Sequence, residues 1–197
     1  MANPRPNPSY TLRPALPSDI PSITSLLAWY ITNTVITLAH TPQAPEQILS
    51  AYNTIKSQHL PYIVACNDQD PGEIYGYIYC SGFRAARAGY KHTVEVSLFC
   101  HQEHVNKGIG TVLLRKLIEV LREPRRFPEY GCAERAEGSK VRIVIACMSV
   151  DETAARGGLA LKEWYERFGF EQVGRFHKVG YKFDRWVDTI YLQLELW

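Results

Sequence analysis

Two short stretches of this chain hold residue types and spacings that could do chemistry. In Val94-Glu95-Val96-Ser97-Leu98-Phe99-Cys100, the two-residue period of a strand puts Glu95, Ser97 and Phe99 on one side and the apolar Val94, Val96 and Leu98 on the other. A carboxylate placed this way is either an ordinary solvent-side glutamate or, if partly buried, a general base. In the second case its raised pKa lets it accept an amine proton, directly or through water, near neutral pH. A few residues on, Asn106-Lys107-Gly108-Ile109-Gly110-Thr111 leads into an apolar series at helical spacing. Glycines let backbone N–H groups approach an anion closely, and first-turn amides with the helix dipole favour phosphate there. The same turn without a ligand is the plain alternative. A dinucleotide turn wants a third glycine where Leu113 stands, and the Gly-Lys-Ser/Thr of a P-loop is absent.

Positioning these stretches requires a strand, a glycine turn and a helix in that order. Leu113, Leu114, Leu117, Ile118 and Leu121 supply the amphipathic helix. Upstream, a short strand is expected over residues 10–13, a helix after Ser18-Asp19 and a second after Pro45. Strands are expected over 62–66, 74–80 and 93–100, the first two forming a hairpin around Asn67-Asp68-Gln69-Asp70-Pro71-Gly72. Downstream, residues 122–140 turn polar and read as a long surface loop. A buried strand follows over 141–147, then a helix over 159–168 ending at Gly169, and strands over 172–175 and 189–196. Residues 1–9, with Pro4, Pro6 and Pro8, read as a flexible lead-in to one domain spanning 10–197.

At 197 residues, 46% hydrophobic and 21% charged, the chain can bury a substantial single core. A formal net charge of +2 with interspersed signs gives no footprint for nucleic acid or an anionic membrane, so a small-molecule partner is expected. The five cysteines, Cys66, Cys80, Cys100, Cys132 and Cys147, lack CxxC spacing and point to a reducing, cytoplasmic setting. His101 and His104 lack HExxH spacing and an evident third ligand; they read as capping the strand-to-helix turn, and no metal is expected.

The combination resembles the GNAT family of N-acetyltransferases, whose hallmark is a strand, a turn with Gln or Arg ahead of Gly-x-Gly/Ala, and a helix. The resemblance runs from about Leu12 to Leu196. It is closer to the phosphinothricin / methionine sulfoximine branch, in Leu12-Arg13-Pro14-Ala15, Tyr90-Lys91-His92-Thr93-Val94-Glu95, Phe168-Gly169-Phe170 and the run from Gly180 to Asp188. It implies a mixed α/β (α+β) GNAT fold: a central, mostly antiparallel sheet with one splayed parallel strand pair, flanked by helices. It also implies acetyl-CoA as co-substrate and direct attack of a neutral amine on the thioester. Leu98, Phe99 and Cys100 would pair with the pantetheine arm, and the amides of Asn106, Lys107, Gly108, Ile109, Gly110 and Thr111 would hold the pyrophosphate. Glu95 matches the base, and Tyr165 matches a tyrosine able to protonate the departing thiolate. The segment from Gly82 to Lys91 resembles the substrate loop, making Phe83, Arg84, Arg87 and Tyr90 substrate-binding candidates. An arginine can clamp a carboxylate or phosphinate through two parallel hydrogen bonds. Thr34 matches a small hydroxyl residue of the same pocket. Relatives in the branch are commonly homodimers, which implies the same here.

Three positions depart from the family pattern. Val105 replaces the Gln or Arg that opens the turn. Asp151 or Glu152 stands where an asparagine would contact the cofactor, and a carboxylate cannot donate that hydrogen bond. Thr37-Leu38-Ala39 lacks the aromatic and charged pair of the substrate pocket. An acceptor of another class, such as a polyamine, an aminoglycoside or a protein N-terminus, therefore stays open, as does a non-catalytic acetyl-CoA-binding module. Cationic acceptors call for an acidic cleft, whereas the Arg84 to Arg87 segment offers positive charge.

Overall fold

A computed structural model describes residues 9–135 and 137–197, without the side chains of Glu137 and Ala155. Apart from Ser9, the expected flexible lead-in over 1–9 lies outside the described residues. The elements in chain order are β1 (Tyr10–Pro14), α1 (Ile20–Asn33), α2 (Pro45–Ser57), β2 (Tyr62–Asn67), β3 (Ile74–Gly82), β4 (Thr93–Cys100), α3 (Ile109–Arg122), β5 (Ile143–Val150), α4 (Ala160–Glu166), β6 (Glu171–Lys182) and β7 (Arg185–Glu195). One seven-stranded sheet runs in the order β1-β2-β3-β4-β5-β7-β6. Every neighbouring pair is antiparallel except β4 with β5.

That parallel pair is short. It runs from Thr93 opposite Ile143 to Val96 opposite Ala146. Beyond it β4 stays on β3 as far as Cys100, and β5 stays on β7 as far as Val150. The two halves of the sheet therefore part just past Glu95, as the resemblance implied.

Alternation along the strands sorts the core into two layers. Gly76, Ile78, Cys80, Val94 and Val96 turn toward α3, whose Ile109, Leu113, Leu114 and Leu117 are almost fully buried. The opposite face carries aromatic rings: Tyr62 stacks on Tyr79 at 4.9 Å, and Phe99 lies 5.5 Å from Tyr77 and 5.2 Å from Tyr30 of α1. Helix α1 is tied to β1 by Asp19, which accepts from both terminal nitrogens of Arg13 at 2.7 and 2.8 Å and from the Leu16 N–H at 2.7 Å. Such a forked, charge-assisted pair fixes both position and angle.

The expected elements form, with two differences of extent. The last two strands are much longer than expected and make one hairpin, closed by Phe183 and Asp184 at φ +52° and +56°. Left-handed backbone at two non-glycine residues gives no composition signal for a two-residue turn. A bulge between Phe176 and Gly180 adds to the disguise. There Asp188 accepts from the Lys178 N–H at 2.8 Å, Arg175 at 2.8 Å and His177 at 2.9 Å. Within 122–140, Tyr130 and Cys132 are buried, and Arg135 donates to the carbonyls of Gln58 at 2.7 Å, Lys91 at 2.6 Å and Ser139. The segment is strapped to the end of α2 rather than looping free.

How closely α3 can lie on the sheet depends on Gly76. A Cβ there would sit 2.9 Å from the Phe99 carbonyl oxygen and 3.2 Å from both Ile109 and Leu113. Gly76→Ala should cost about 1–3 kcal/mol by overpacking, read as a lower urea midpoint with unchanged slope. Gly89→Ala, with nothing within 4 Å, is the control expected within about 0.5 kcal/mol of the parent.

Candidate active site

The parting of β4 from β5 opens two cavities that share a wall. The inner one is lined by Glu95, Ser97 and Phe99 of β4, Cys147 and Ser149 of β5, and Tyr165 of α4. The outer groove, about 570 Å³, runs over Cys100, Asn106, Gly108, Gly110 and Thr111 to Arg156, Trp164 and Arg167. Ile36, Leu98 and Leu161 line both.

Glu95 is half-buried on the aromatic face, and burial alone raises its pKa above the usual carboxylate range. That is the direction a base for an amine needs. Tyr165 is buried on α4, and loss of solvent pushes its phenol well up. Across the sheet register Cys147 stands opposite Tyr191. The nearby Cys147 thiol, together with burial, lifts the Tyr191 phenol to about 12, while the charge of Arg84 pulls it back. Cys147 is itself raised, by burial first and by the charge of Glu95 to a lesser extent. Glu95, Cys147 and Arg84 thus each lie within electrostatic reach of Tyr191, and Glu95 also within reach of Cys147.

The turn before α3 is built as the sequence reading expected. Asn106 and Gly108 take left-handed backbone at φ +60° and +83°, the first a conformation asparagine tolerates and the second one that suits glycine. None of the N–H groups from Asn106 to Thr111 donates to a backbone carbonyl; the first helical bond is Val112 to Gly108 at 3.2 Å. The Gly110 N–H turns to the Cys100 sulfur. The other N–H groups from Asn106 to Thr111 have no backbone carbonyl partner and suit an anion. Trp164 Nε1 donates to Thr111 Oγ1 at 3.3 Å and so joins α4 to the first turn of α3. Val105, exposed at the turn, contributes no polar group.

The remaining expected residues fall in three places. Leu98, Phe99 and Cys100 form the end of β4 past its pairing with β5, with the Cys100 carbonyl accepting from Tyr30 Oη at 2.7 Å. Lys107 and Ile109 belong to the turn, Lys107 exposed and Ile109 buried. Asp151 and Glu152 follow β5 but do not line the groove. Asp151 accepts from the N–H and hydroxyl of Thr153, at 3.1 and 2.6 Å, and pairs with Arg185 at 3.0 Å. Thr34 caps α1, donating to Tyr30 O at 2.8 Å and accepting from the Ile36 N–H at 3.2 Å. Phe83, Arg87 and Tyr90 line a separate pocket with the end of α2, while Arg84 stacks over Phe83 at 5.5 Å.

Sequence reasoning missed Ile36, Cys147, Leu161, Tyr191, Arg156, Trp164 and Arg167. Trp164 and Arg167 flank Tyr165 at helical spacing, so their shared face was available from the sequence. The position of Tyr191 depends on a long-range register that no local pattern carries. Among the described residues no group of three His, Cys, Asp or Glu could hold a metal. His101 Nδ1 accepts from the Glu103 N–H at 3.4 Å, and His104 stacks on Tyr75 at 3.9 Å.

Comparison with known proteins matches this arrangement. The acetyltransferase (GNAT) family model matches residues 24–137, more than half of the chain. A phosphinothricin N-acetyltransferase of Alcaligenes faecalis is 28% identical, over 94% of this chain and 82% of that protein. An L-methionine sulfoximine/L-methionine sulfone acetyltransferase of Pseudomonas aeruginosa is also 28% identical, over 95% of each. A crystal structure of a GNAT superfamily phosphinothricin acetyltransferase from Sinorhizobium meliloti in complex with AcCoA superimposes with a TM-score of 0.76 at 30% identity, covering 95% of this chain and 88% of that one. With its split sheet and its open amide turn, the chain belongs to the GNAT family of acetyltransferases.

Proposed function

We propose that this enzyme transfers the acetyl group of acetyl-CoA to the amino group of a small amino acid or analogue of the phosphinothricin or methionine sulfoximine type. One observation carries the reading: the Glu95 cavity and the groove over the amide turn meet at the shared wall of Ile36, Leu98 and Leu161, where β4 leaves β5. The names and coverage of the relatives support the same substrate class.

The groove fits the cofactor. The N–H groups from Asn106 to Thr111 that donate to no backbone carbonyl and no sulfur suit a pyrophosphate without help from Val105, and Arg156 and Arg167 line the same groove. The edge of β4 from Leu98 to Cys100 has no strand on its β5 side and can pair with an amide-bearing arm. Acetyl-CoA supplies an acetyl group activated as a thioester. Glu95 takes the proton of the attacking amine, directly or through water. Arg84 holds the acceptor's carboxylate, and the charges of Glu95 and Arg84 both act on Tyr191. Tyr165, whose raised pKa makes an outright loss of its proton costly, steadies the departing thiolate by donating a hydrogen bond. The exposed apolar row of Val173, Phe176, Val179, Tyr181 and Trp186 on the last hairpin forms the interface of a homodimer. The cytoplasm, where free cysteines stay reduced, is its setting.

Acetyl-CoA consumption against phosphinothricin, methionine sulfoximine, free amino acids, spermidine and a short peptide tests the assignment. Turnover of spermidine or peptide alone overturns the acceptor class, and binding of acetyl-CoA without any turnover overturns the enzymatic role. Glu95→Gln should lower kcat by about 10²–10⁴-fold with acetyl-CoA binding retained; full activity under chemistry-limited conditions removes Glu95 as base.

The same substitution has a pH signature. A carboxyl whose folded pKa is raised stabilises the fold while protonated and loses that contribution as pH rises through the raised value. Thermal scans should therefore show Glu95→Gln above wild type at pH 7 to 8 and the gap closing toward acid. Val105→Gln should bind acetyl-CoA as tightly as wild type or tighter by calorimetry, since a donor is added to a cradle of main-chain amides. Markedly weaker binding would contradict that placement.

A further inference from the structure

Away from the cleft, where α3 ends, the strap over 122–140 closes over a cavity of about 370 Å³. Its cations are Arg122, Arg125, Arg126, Arg135 and Lys140, joined by His59, and its one carboxylate among the described residues is Glu123. Glu123 is already bonded to Arg126 at 3.2 Å, and Glu134, outside the lining, pairs with His59 at 3.2 Å. Arg122, Arg125 and Lys140 make no ion pair among the described residues. Arg135 is anchored by three carbonyls, those of Gln58, Lys91 and Ser139, so its charge is fixed in place and, among the described residues, without an ion pair. The carbonyl end of α3 offsets only about half a charge, far less than these cations carry. Leu121, Pro124 and Val141 give the cavity an apolar floor.

We infer that this cavity is a second ligand site, for a phosphate-bearing small molecule. Forked guanidinium groups match phosphate oxygens in pairs, and the volume falls in the range of small-molecule sites. The chain as a whole has a net charge of only +2, so the concentration of cations here is local. The strap that builds it is the one long polar segment the acetyl-transfer reading leaves without a role.

Calorimetric titration of the full-length protein with inorganic pyrophosphate, at near-physiological salt and in excess CoA to fill the groove, tests the inference. Wild type should bind, and more weakly as salt rises. Arg122→Gln/Arg125→Gln, both exposed positions, should lose at least tenfold in affinity with unchanged CoA binding and melting temperature. Lys140→Gln, made separately, should show a smaller loss and decides the matter if the double variant does not fold. Absence of binding by wild type, undiminished binding by the variants, or tighter binding of citrate than of pyrophosphate would overturn it. If CoA itself does not bind, the cofactor reading fails while the arginine comparison still stands.

Discussion

The separation of β4 from β5 is the constraint on which the rest of this enzyme depends. Parallel neighbours that pair at Val96 and Ala146 would ordinarily go on pairing, because unpaired main-chain groups are costly away from water. Here the loop after α1 is wedged at the gap and held on both sides. Ser149 of β5 donates to the Val35 carbonyl, Lys182 of β6 donates to Thr37 O at 2.7 Å, and His40 Nε2 meets Tyr181 O at 3.0 Å. Gly180 leaves room for Leu38, whose Cδ1 would lie 2.4 Å from a Cβ there. On the other side, Tyr30 Oη satisfies the Cys100 carbonyl. The wedge keeps the sheet open, and the freed edge of β4 becomes a surface for an extended ligand.

Keeping such a gap inside a core brings ionisable groups out of water. Glu95 is raised by burial, and Lys182, only 2% exposed, is lowered by it. Neither has a carboxylate or ammonium partner among the described residues. The two are therefore sources of instability that the aromatic and aliphatic layers offset. For Lys182 the return is a fixed wedge, since its single acceptor is the loop itself. For Glu95 the consequence is a carboxylate that holds a proton more readily than a solvated one. A more stable molecule could be made at either position, at the expense of the cleft.

What was legible in the sequence follows from how local each feature is. The strand, turn and helix around Glu95 and Gly108 are contiguous, their periods switch within a few residues, and their residues recur as a recognisable pattern; the fold and the acetyl-CoA co-substrate could both be read. The Phe183-Asp184 hairpin was hidden because its turn uses left-handed backbone without glycine. Cys147 and Tyr191 were hidden because their meeting is fixed by the register of β5 on β7. Asp151 shows the converse. Its place after β5 in sequence suggested a cofactor contact, yet Thr153 and Arg185 occupy its carboxylate.

The two halves of the site tolerate change differently for a physical reason. An anion cradle made of main-chain amides needs only the turn geometry, so a valine at position 105 leaves unchanged the N–H groups there that donate to no backbone carbonyl. The indole of Trp164, bonded to Thr111, braces the helix that carries them. The Glu95 cavity is instead lined by side chains from the loop after α1, β4, β5 and α4. Each is placed by a different long-range contact, so a change in any one reshapes the pocket without disturbing the cradle. The departure at Thr37-Leu38-Ala39 falls in the loop that Lys182 and Gly180 hold. The contacts that hold the sheet apart therefore also hold that loop, whose Ile36 lines both cavities of the cleft.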